Sequence, residues 1–338
     1  MQLQVHSESS WFSFQAAFQN PRSEIQTTPD LSQSESGSVV IIGSITVDLT
    51  AFSHRLPPPG ETILGDEFTL VLGGKGANQA IAASRAGANT HMVACIGDDL
   101  FANLVSTGLA ESGVDISHVR SVAGPTGIAH IRVDDSGESD IVMVPLANCS
   151  LWIAQIDAYF ADTGARASVP LAQVEIPWAI TQYAIKKARA AGLTVVLDPA
   201  PAAKLDADIW RLVDIVTPNE TEASILSGIT VTDKESAVEA DQWFIDQGTK
   251  HALITMSSMG AVLLSSEGVR HFDSIPVVAV DSTAAGDSFA GYLGAALASG
   301  FPLNDAISLA MAAGALAVTK RGAFPSVPYR ADVDKLLE

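Results

Sequence analysis

Val39-Val-Ile-Ile-Gly43-Ser-Ile-Thr-Val-Asp48 is the stretch from which the fold can be read. Four branched apolar residues run without polar alternation and stop at a glycine. Such a run predicts a strand buried on both faces, as in parallel sheets covered by helices. Outward from it, helical periodicity at 76–87 and 99–113 flanks a strand at 91–96. Further strands are expected at 170–175, 193–198, 213–217, 251–256 and 261–265. Helices are expected near 178–191, 234–248, 286–299 and 303–319. Strands alternating with helices predict an α/β fold, a central and mostly parallel β-sheet flanked by helices. No internal repeat interrupts it.

Two segments break the rhythm, at about 47–70 and 123–145. The first holds Pro57-Pro-Pro-Gly60 and Glu61-Thr-Ile-Leu-Gly65 and lacks helical periodicity. The second holds Gly127-Ile-Ala-His-Ile-Arg-Val133, the polar turn Asp134-Asp-Ser-Gly-Glu138, and Ile141-Val-Met-Val144, which together read as a hairpin. These are either a small β-sheet lid that excludes water from a site, or an antiparallel edge of the main sheet. Residues 1–37 are rich in Ser, Gln, Glu and Thr, with Pro21, Pro29, a single Arg and no Lys. They are expected to be a mostly disordered extension, or a docking segment, outside a body spanning 38–338.

Composition narrows the partners. The 338 residues carry 38 acidic against 19 basic side chains, a formal net charge of −19. That surface argues against nucleic acid or an anionic membrane as partner. Nothing approaches the ~18 consecutive apolar residues of a membrane span. Cys95 and Cys149 follow no metal or redox spacing and read as buried thiols in a reducing cytoplasm. The seven histidines contain no i, i+4 pair, so a metal site built from imidazoles is not expected.

The chemistry concentrates late in the chain, in Asp281-Ser-Thr-Ala-Ala-Gly-Asp287-Ser-Phe-Ala-Gly291. Small residues before a helix bring backbone N–H groups together at the positive end of its dipole, which makes an anion site. Asp287 inside such a site makes sense if it takes a proton from a hydroxyl while the N–H groups hold a migrating phosphoryl group. Gly73-Gly-Lys-Gly-Ala-Asn78 opens the first strong helix. Lys75 is not followed by Ser or Thr, so this is not a P-loop, and its glycine spacing is not that of a dinucleotide fingerprint. Lys75 and Asn78 offer a cation and a paired donor and acceptor to a hydroxylated molecule. Asp48, read as the end of the first strand, either accepts sugar hydroxyls or caps a turn. Glu220 and Glu222, in Asn219-Glu-Thr-Glu222, favour a helix dipole or support a magnesium–phosphate site. Thr255-Met-Ser-Ser-Met-Gly260 is a turn of small residues able to receive a nucleotide.

In order and spacing these segments resemble the PfkB-type carbohydrate kinases, the ribokinase family. The similarity spans 38–338 and includes Ala317-Val-Thr-Lys-Arg-Gly-Ala-Phe-Pro-Ser326. The resemblance implies a ribokinase-like fold and ATP-dependent phosphorylation of a sugar hydroxyl, foremost the 5-hydroxyl of D-ribose. It makes Asp287 the base and Ala284, Ala285 and Gly286 the anion hole. Sugar contacts would be Thr46, Asp48, Gly74, Lys75, Asn78, Asp287 and Glu175, the last from Gln173-Val-Glu-Ile-Pro177. Nucleotide contacts would be Asn219, Thr255, Ser257, Gly260, Gly286 and Met311, with Glu222 serving magnesium indirectly. Potassium would sit beside the anion hole among Asp281, Thr283, Ala317, Lys320, Gly322 and Ser326. The lid sheets of two subunits would clasp in a homodimer.

Four positions depart from the family pattern: Thr46 and Asp198 where asparagine is common, Leu146 for glycine, and Met311 for histidine. Threonine offers one hydroxyl in place of an amide, a loss of about 1–2 kcal/mol, roughly tenfold in affinity. A carboxylate at position 198 would repel phosphate. These departures leave 2-deoxyribose, another pentose or ketose, or a nucleoside as alternative acceptors. A non-catalytic sugar sensor would have no need of intact Asp287, Gly286 and Lys75. A nicotinamide dehydrogenase would need the missing glycine fingerprint.

Overall fold

Successive residues of Val39–Ile42 point to opposite faces of one strand, and both faces are covered. Val39 and Ile41 enter one apolar core while Val40 and Ile42 enter another, which is why the run has no polar member. The computed structural model describes residues 37–162 and 167–338, so the expected extension lies outside the described residues, its last residue excepted.

Among the described residues the strands are β1 (Ser38–Ile42), β2 (Thr46–Phe52), β3 (Glu67–Gly73), β4 (Asn89–Gly97), β5 (Val114–Val122), β6 (Gly127–Val133) and β7 (Ser139–Val144), followed by β8 (Ala167–Ala172), β9 (Val196–Leu197), β10 (Ile215–Val216), β11 (His251–Thr255), β12 (Ala261–Ser265) and β13 (Gly268–Phe272). The helices are α1 (Lys75–Arg85), α2 (Ala102–Glu111), α3 (Ile153–Asp162), α4 (Trp178–Ala190) and α5 (Glu220–Ser227), then α6 (Lys234–Gln247), α7 (Ala285–Ala298), α8 (Leu303–Ala317), α9 (Ala323–Ser326) and α10 (Arg330–Leu337). None is long and apolar enough to cross a membrane.

The large sheet has the order β13-β12-β11-β10-β9-β8-β1-β4-β5. Pairs from β11 through β5 are parallel, and β12 and β13 are added antiparallel. Helices α1, α7 and α8 cover one face, and α3, α4 and α6 the other. The chain leaves β1 towards β4 and β5 and returns on the other side at β8. That switch opens a crevice at the carboxyl ends of the strands, where such sheets bind ligands.

The two segments that broke the rhythm supply β2, β3, β6 and β7, which form a separate sheet of order β3-β2-β6-β7. They are not an edge of the large one. Asp48 does not end the first strand. The bend at Gly43-Ser44-Ile45 carries the chain out of the large sheet, and Asp48 lies within β2, opposite Val71 of β3 and Ala129 of β6. Asn148 fixes the bend: its Oδ1 accepts from the Ile45 N–H at 2.9 Å and its Nδ2 donates to the Ile45 carbonyl at 2.8 Å. The short turn that delivers Asn148 starts at Leu146, which takes φ +47° where the family pattern has glycine. Cys149, in the same turn, is exposed, contrary to expectation; Cys95 is buried, which pushes its thiol up to about 11.

Candidate active site

The site draws on the small sheet as well as on loops that follow strands of the large one. Gly73 ends β3, and a Cβ there would lie 2.2 Å from the Asp48 carboxylate, so only glycine lets that side chain stand against the backbone. Gly74 follows at φ +91° and turns the chain into α1; a Cβ on it would meet the Thr46 nitrogen at 2.8 Å. The turn delivers Lys75, Asn78 and Gln79 on the first turns of α1. Glu175, beyond β8, accepts from the Lys75 N–H at 3.0 Å and from the Ser44 hydroxyl.

Asp287 comes from the other side, in the first turn of the 14-residue helix α7. Its N-cap, Ala284, sits at φ +60°, a conformation that is strained for a residue bearing a Cβ. The Ala285 N–H donates to the Ser282 carbonyl at 3.2 Å. Among the described residues no protein acceptor takes the N–H of Ala284, Gly286 or Asp287. A Cβ on Gly286 would meet nothing within 4 Å, so the helix end is open. Oriented N–H groups and the positive helix terminus make it a place for an anion.

Both oxygens of Asp287 are held from α1. Oδ2 accepts from Asn78 Nδ2 at 2.9 Å and Oδ1 from Gln79 Nε2 at 3.3 Å. Lys75 Nζ lies 3.8 Å from Asp287 Oδ1 and 3.6 Å from Asp198 Oδ2. Burial works against the Lys75 ammonium, yet the carboxylates of Asp198, Asp287, Glu175 and Glu222 outweigh it and hold the lysine above its usual range. Around this one cation three acids are raised as well, which favours their neutral forms. Burial raises Asp48 to about 6 against its hydrogen bond from Thr46 Oγ1 (2.9 Å), with the charges of Glu175 and Asp287 adding to the rise. Burial likewise raises Glu175 and Asp198, Lys75 opposing in both.

The loops after β10 and β11 carry the expected nucleotide contacts. Asn219 caps α5 in a closed box, its Oδ1 accepting from the Glu222 N–H at 2.8 Å while Glu222 Oε2 accepts from the Asn219 N–H at 2.9 Å. Glu222 is therefore a capping residue, and its charge also reaches Lys75 and Asp198. Asn219 bridges to Thr255 at the end of β11. The turn after it takes Ser257 to φ +47° and Gly260 to φ +91°, where a Cβ would lie 1.9 Å from the Phe272 carbonyl. Met311 is half-buried on α8, against the core on the α7 side of the sheet.

Behind the helix end, Asp281 staples two segments. Its Oδ1 accepts from the Thr283 N–H (2.9 Å) and hydroxyl (2.6 Å), and Oδ2 from the Gly322 N–H (2.8 Å). Burial opposes ionisation, but these bonds hold Asp281 below the usual carboxylate range. Ser326 Oγ donates to the Thr283 carbonyl at 3.4 Å. Ala317 accepts the Lys320 N–H at 3.2 Å on the same strap. Among the described residues no cluster of three or more His, Cys, Asp or Glu could hold a metal.

The geometry thus gathers Asp48, Thr46, Gly74, Lys75, Asn78, Glu175 and Asp287, while Asn219 and Thr255 meet beyond β10 and β11, with Ser257 and Gly260 in the turn that follows. The residues the sequence reading left out as site residues are the buried amides Gln79 and Gln173, together with Ser44 and Asn148. Gln79 was within sight, as the residue after Asn78 at the start of a helix; the others carry no signal outside the folded structure.

Known proteins bear directly on this crevice. The pfkB family carbohydrate kinase model matches residues 36–330. A ribokinase of Haemophilus influenzae is 37% identical over 305 residues, covering 89% of this chain and 98% of its own. A solved ribokinase of Thermotoga maritima superposes with a TM-score of 0.81 at 32% identity, covering 89% of this chain and 99% of that one. An Arabidopsis thaliana ribokinase, solved with ribose and ATP, gives 0.82 at 31% identity, with 90% and 99% coverage. With nearly its whole described length matched and the crevice built as above, the chain belongs to the pfkB family of carbohydrate kinases.

Proposed function

We propose that this protein transfers the γ-phosphoryl group of ATP to the 5-hydroxyl of D-ribose, with Asp287 as the base. The observation that carries the reading is Asp287 in the first turn of α7, beside N–H groups that find no acceptor among the described residues, and within reach of Lys75. The ribose hydroxyl gives its proton to Asp287 as its oxygen bonds phosphorus, and the bond to the ADP oxygen breaks. A loose transition state asks little of the base and much of positioning and charge, which Lys75 and the α7 terminus supply. Ala284 and Gly286 offer N–H groups at once; Ala285 joins them when it releases Ser282. Asp48, with Thr46 beside it, and Asn78 and Glu175 hold the sugar. Asn219, Thr255, Ser257 and Gly260 receive the nucleotide, with Met311 beside the base.

Magnesium would accompany the phosphates, with Glu222 supplying charge; its cap bond uses only Oε2. Potassium would be held by carbonyl oxygens of the Asp281–Thr283 turn and the Ala317–Ser326 strap. Asp281 has both oxygens engaged in tying these segments together, so a cation there would stiffen the loop behind the anion hole. The small sheet acts as a lid and as the contact between two copies in a homodimer, and the cytoplasm is the compartment. The discriminating assay measures ADP release with ribose, 2-deoxyribose, fructose and adenosine, in potassium and in sodium. Ribose is expected to turn over fastest, and faster in potassium. Turnover of 2-deoxyribose well above ribose would move the substrate, and none on any acceptor would end the reading.

A further inference from the structure

Asp198 is a carboxylate in a crevice meant for a polyphosphate, and its surroundings account for it. From α1, Gln79 Nε2 donates to Asp198 Oδ2 at 2.8 Å and Lys75 Nζ stands 3.6 Å from the same oxygen. From α7, Asp287 shares both partners, at 3.3 Å from Gln79 and 3.8 Å from Lys75. Glu175 beyond β8 and Glu222 on α5 add negative charge through space. Gln79 is fully buried, and its amide is committed to one orientation. With Nε2 towards the two carboxylates, Oε1 accepts from Gln173 Nε2. Turned over, Oε1 would face an oxygen of each carboxyl group, and the donor that the two now share would be lost. Gln173 is fully buried as well, and its own Oε1 finds no donor among the described residues. That oxygen lies over Gly43, where a Cβ would stand 2.1 Å away. The two amides thus donate in series towards the carboxylates, at the cost of one buried acceptor unsatisfied.

We propose that Gln79, supported by Gln173, is a positioning residue for the phosphoryl transfer: it ties Asp198 to Asp287, holding the Asp198 charge off the phosphate path and Asp287 towards the acceptor hydroxyl. This rests on the reading of Asp287 as base. It also resolves the departure at position 198, since a restrained carboxylate paired with Gln79 and Lys75 does not confront phosphate as a free one would.

The test is a double-mutant cycle on kinetics. Gln79→Met keeps the side chain's length and removes its donor. It is expected to lower kcat about tenfold and raise KM for ATP about five- to twentyfold, the scale of a lost hydrogen bond to a charged group. KM for ribose is expected to stay within about twofold, because this amide touches no sugar contact except Asp287. Asp198→Asn alone keeps an oxygen for Gln79 to bond, and KM for ATP stays within about threefold. Added to Gln79→Met, Asp198→Asn is expected to restore most of the ATP affinity, since no freed charge remains to meet phosphate. A double variant as impaired as Gln79→Met, or worse, would mean that Gln79 acts only through packing, and overturns the proposal. If Gln79→Met does not fold, Gln173→Met carries the test one step back: the same pattern at smaller size supports it, and an unchanged ATP KM overturns it. Asp287→Asn, measured alongside, judges the base separately: full activity there would remove the base while the suppression result still decides whether Gln79 restrains Asp198.

Discussion

Asp48 shows what a single residue costs and supplies. Burial lifts its carboxyl from an ordinary 3.8 to about 6 in the folded protein, although Thr46 donates a hydrogen bond to it. Between those values the folded chain holds a proton that the unfolded chain has released. Stability therefore falls as pH rises through this window, and the cost is complete above about pH 6. Asp48→Asn keeps an acceptor for Thr46 and removes the charge. Its Tm is predicted to exceed that of wild type by several degrees at pH 8, with the gap closing as pH falls towards 4, while ribose affinity drops. Thermal melts across that range check it; a gap that ignores pH, or has the opposite sign, would show that burial of this charge is not the cause.

At the scale of elements, the four-stranded sheet has two unlike faces. The register places Leu70, Leu49, His130 and Val142 side by side, with Phe68, Ala51, Arg132 and Asp140 in the row on one side and Leu72, Val47, Ile128 and Val144 in the row on the other. Leu72 and Val47 enter the core, but Phe68 is 62% and Val142 63% exposed, so an apolar strip runs out from the body. Asp48 and Thr46 are on the opposite face. Such a strip is suited to a second copy of itself. Phe68→Glu combined with Val142→Glu is expected to weaken the proposed dimer by more than about tenfold in sedimentation equilibrium; a wild-type chain that remains monomeric at high concentration would refute the contact.

The same sheet shows how far the sequence could be read. Its strands were visible as breaks in the helical rhythm, and the hairpin at 127–144 was visible through its polar turn. Position 48 fell inside the first of those breaks, yet Asp48 was read as the end of the first strand, because the bend at Ser44–Ile45 depends on Asn148, about a hundred residues away. β5 and β13 were missed because edge strands alternate or stay exposed and lack the continuous apolar run that marks β1. Asp287 stood out because small residues before a helix bring N–H groups together, and Lys75 and Asn78 because consecutive glycines let a backbone approach a ligand; the fold sets the three side by side. Gln79 and Gln173 were not, because a buried amide acquires its role only from the groups that the fold sets against it.

For the whole molecule, the acidic surface and the anionic cosubstrate meet without contradiction. The chain carries −19 overall, yet the phosphate site proposed for it uses neutral backbone donors and one lysine, at the carboxyl ends of the parallel strands. The fold brings α1 and α7, some 200 residues apart in sequence, against each other, so that Asn78, Gln79 and Lys75 converge on Asp287. The central claim is that this carboxylate accepts the proton of the sugar hydroxyl. It is tested most directly by ribose-dependent ADP formation in Asp287→Asn at saturating substrates. The account predicts a kcat lower by about 10²–10⁴-fold with the melting temperature retained, and a kcat within threefold of wild type, roughly 0.7 kcal/mol, would contradict it.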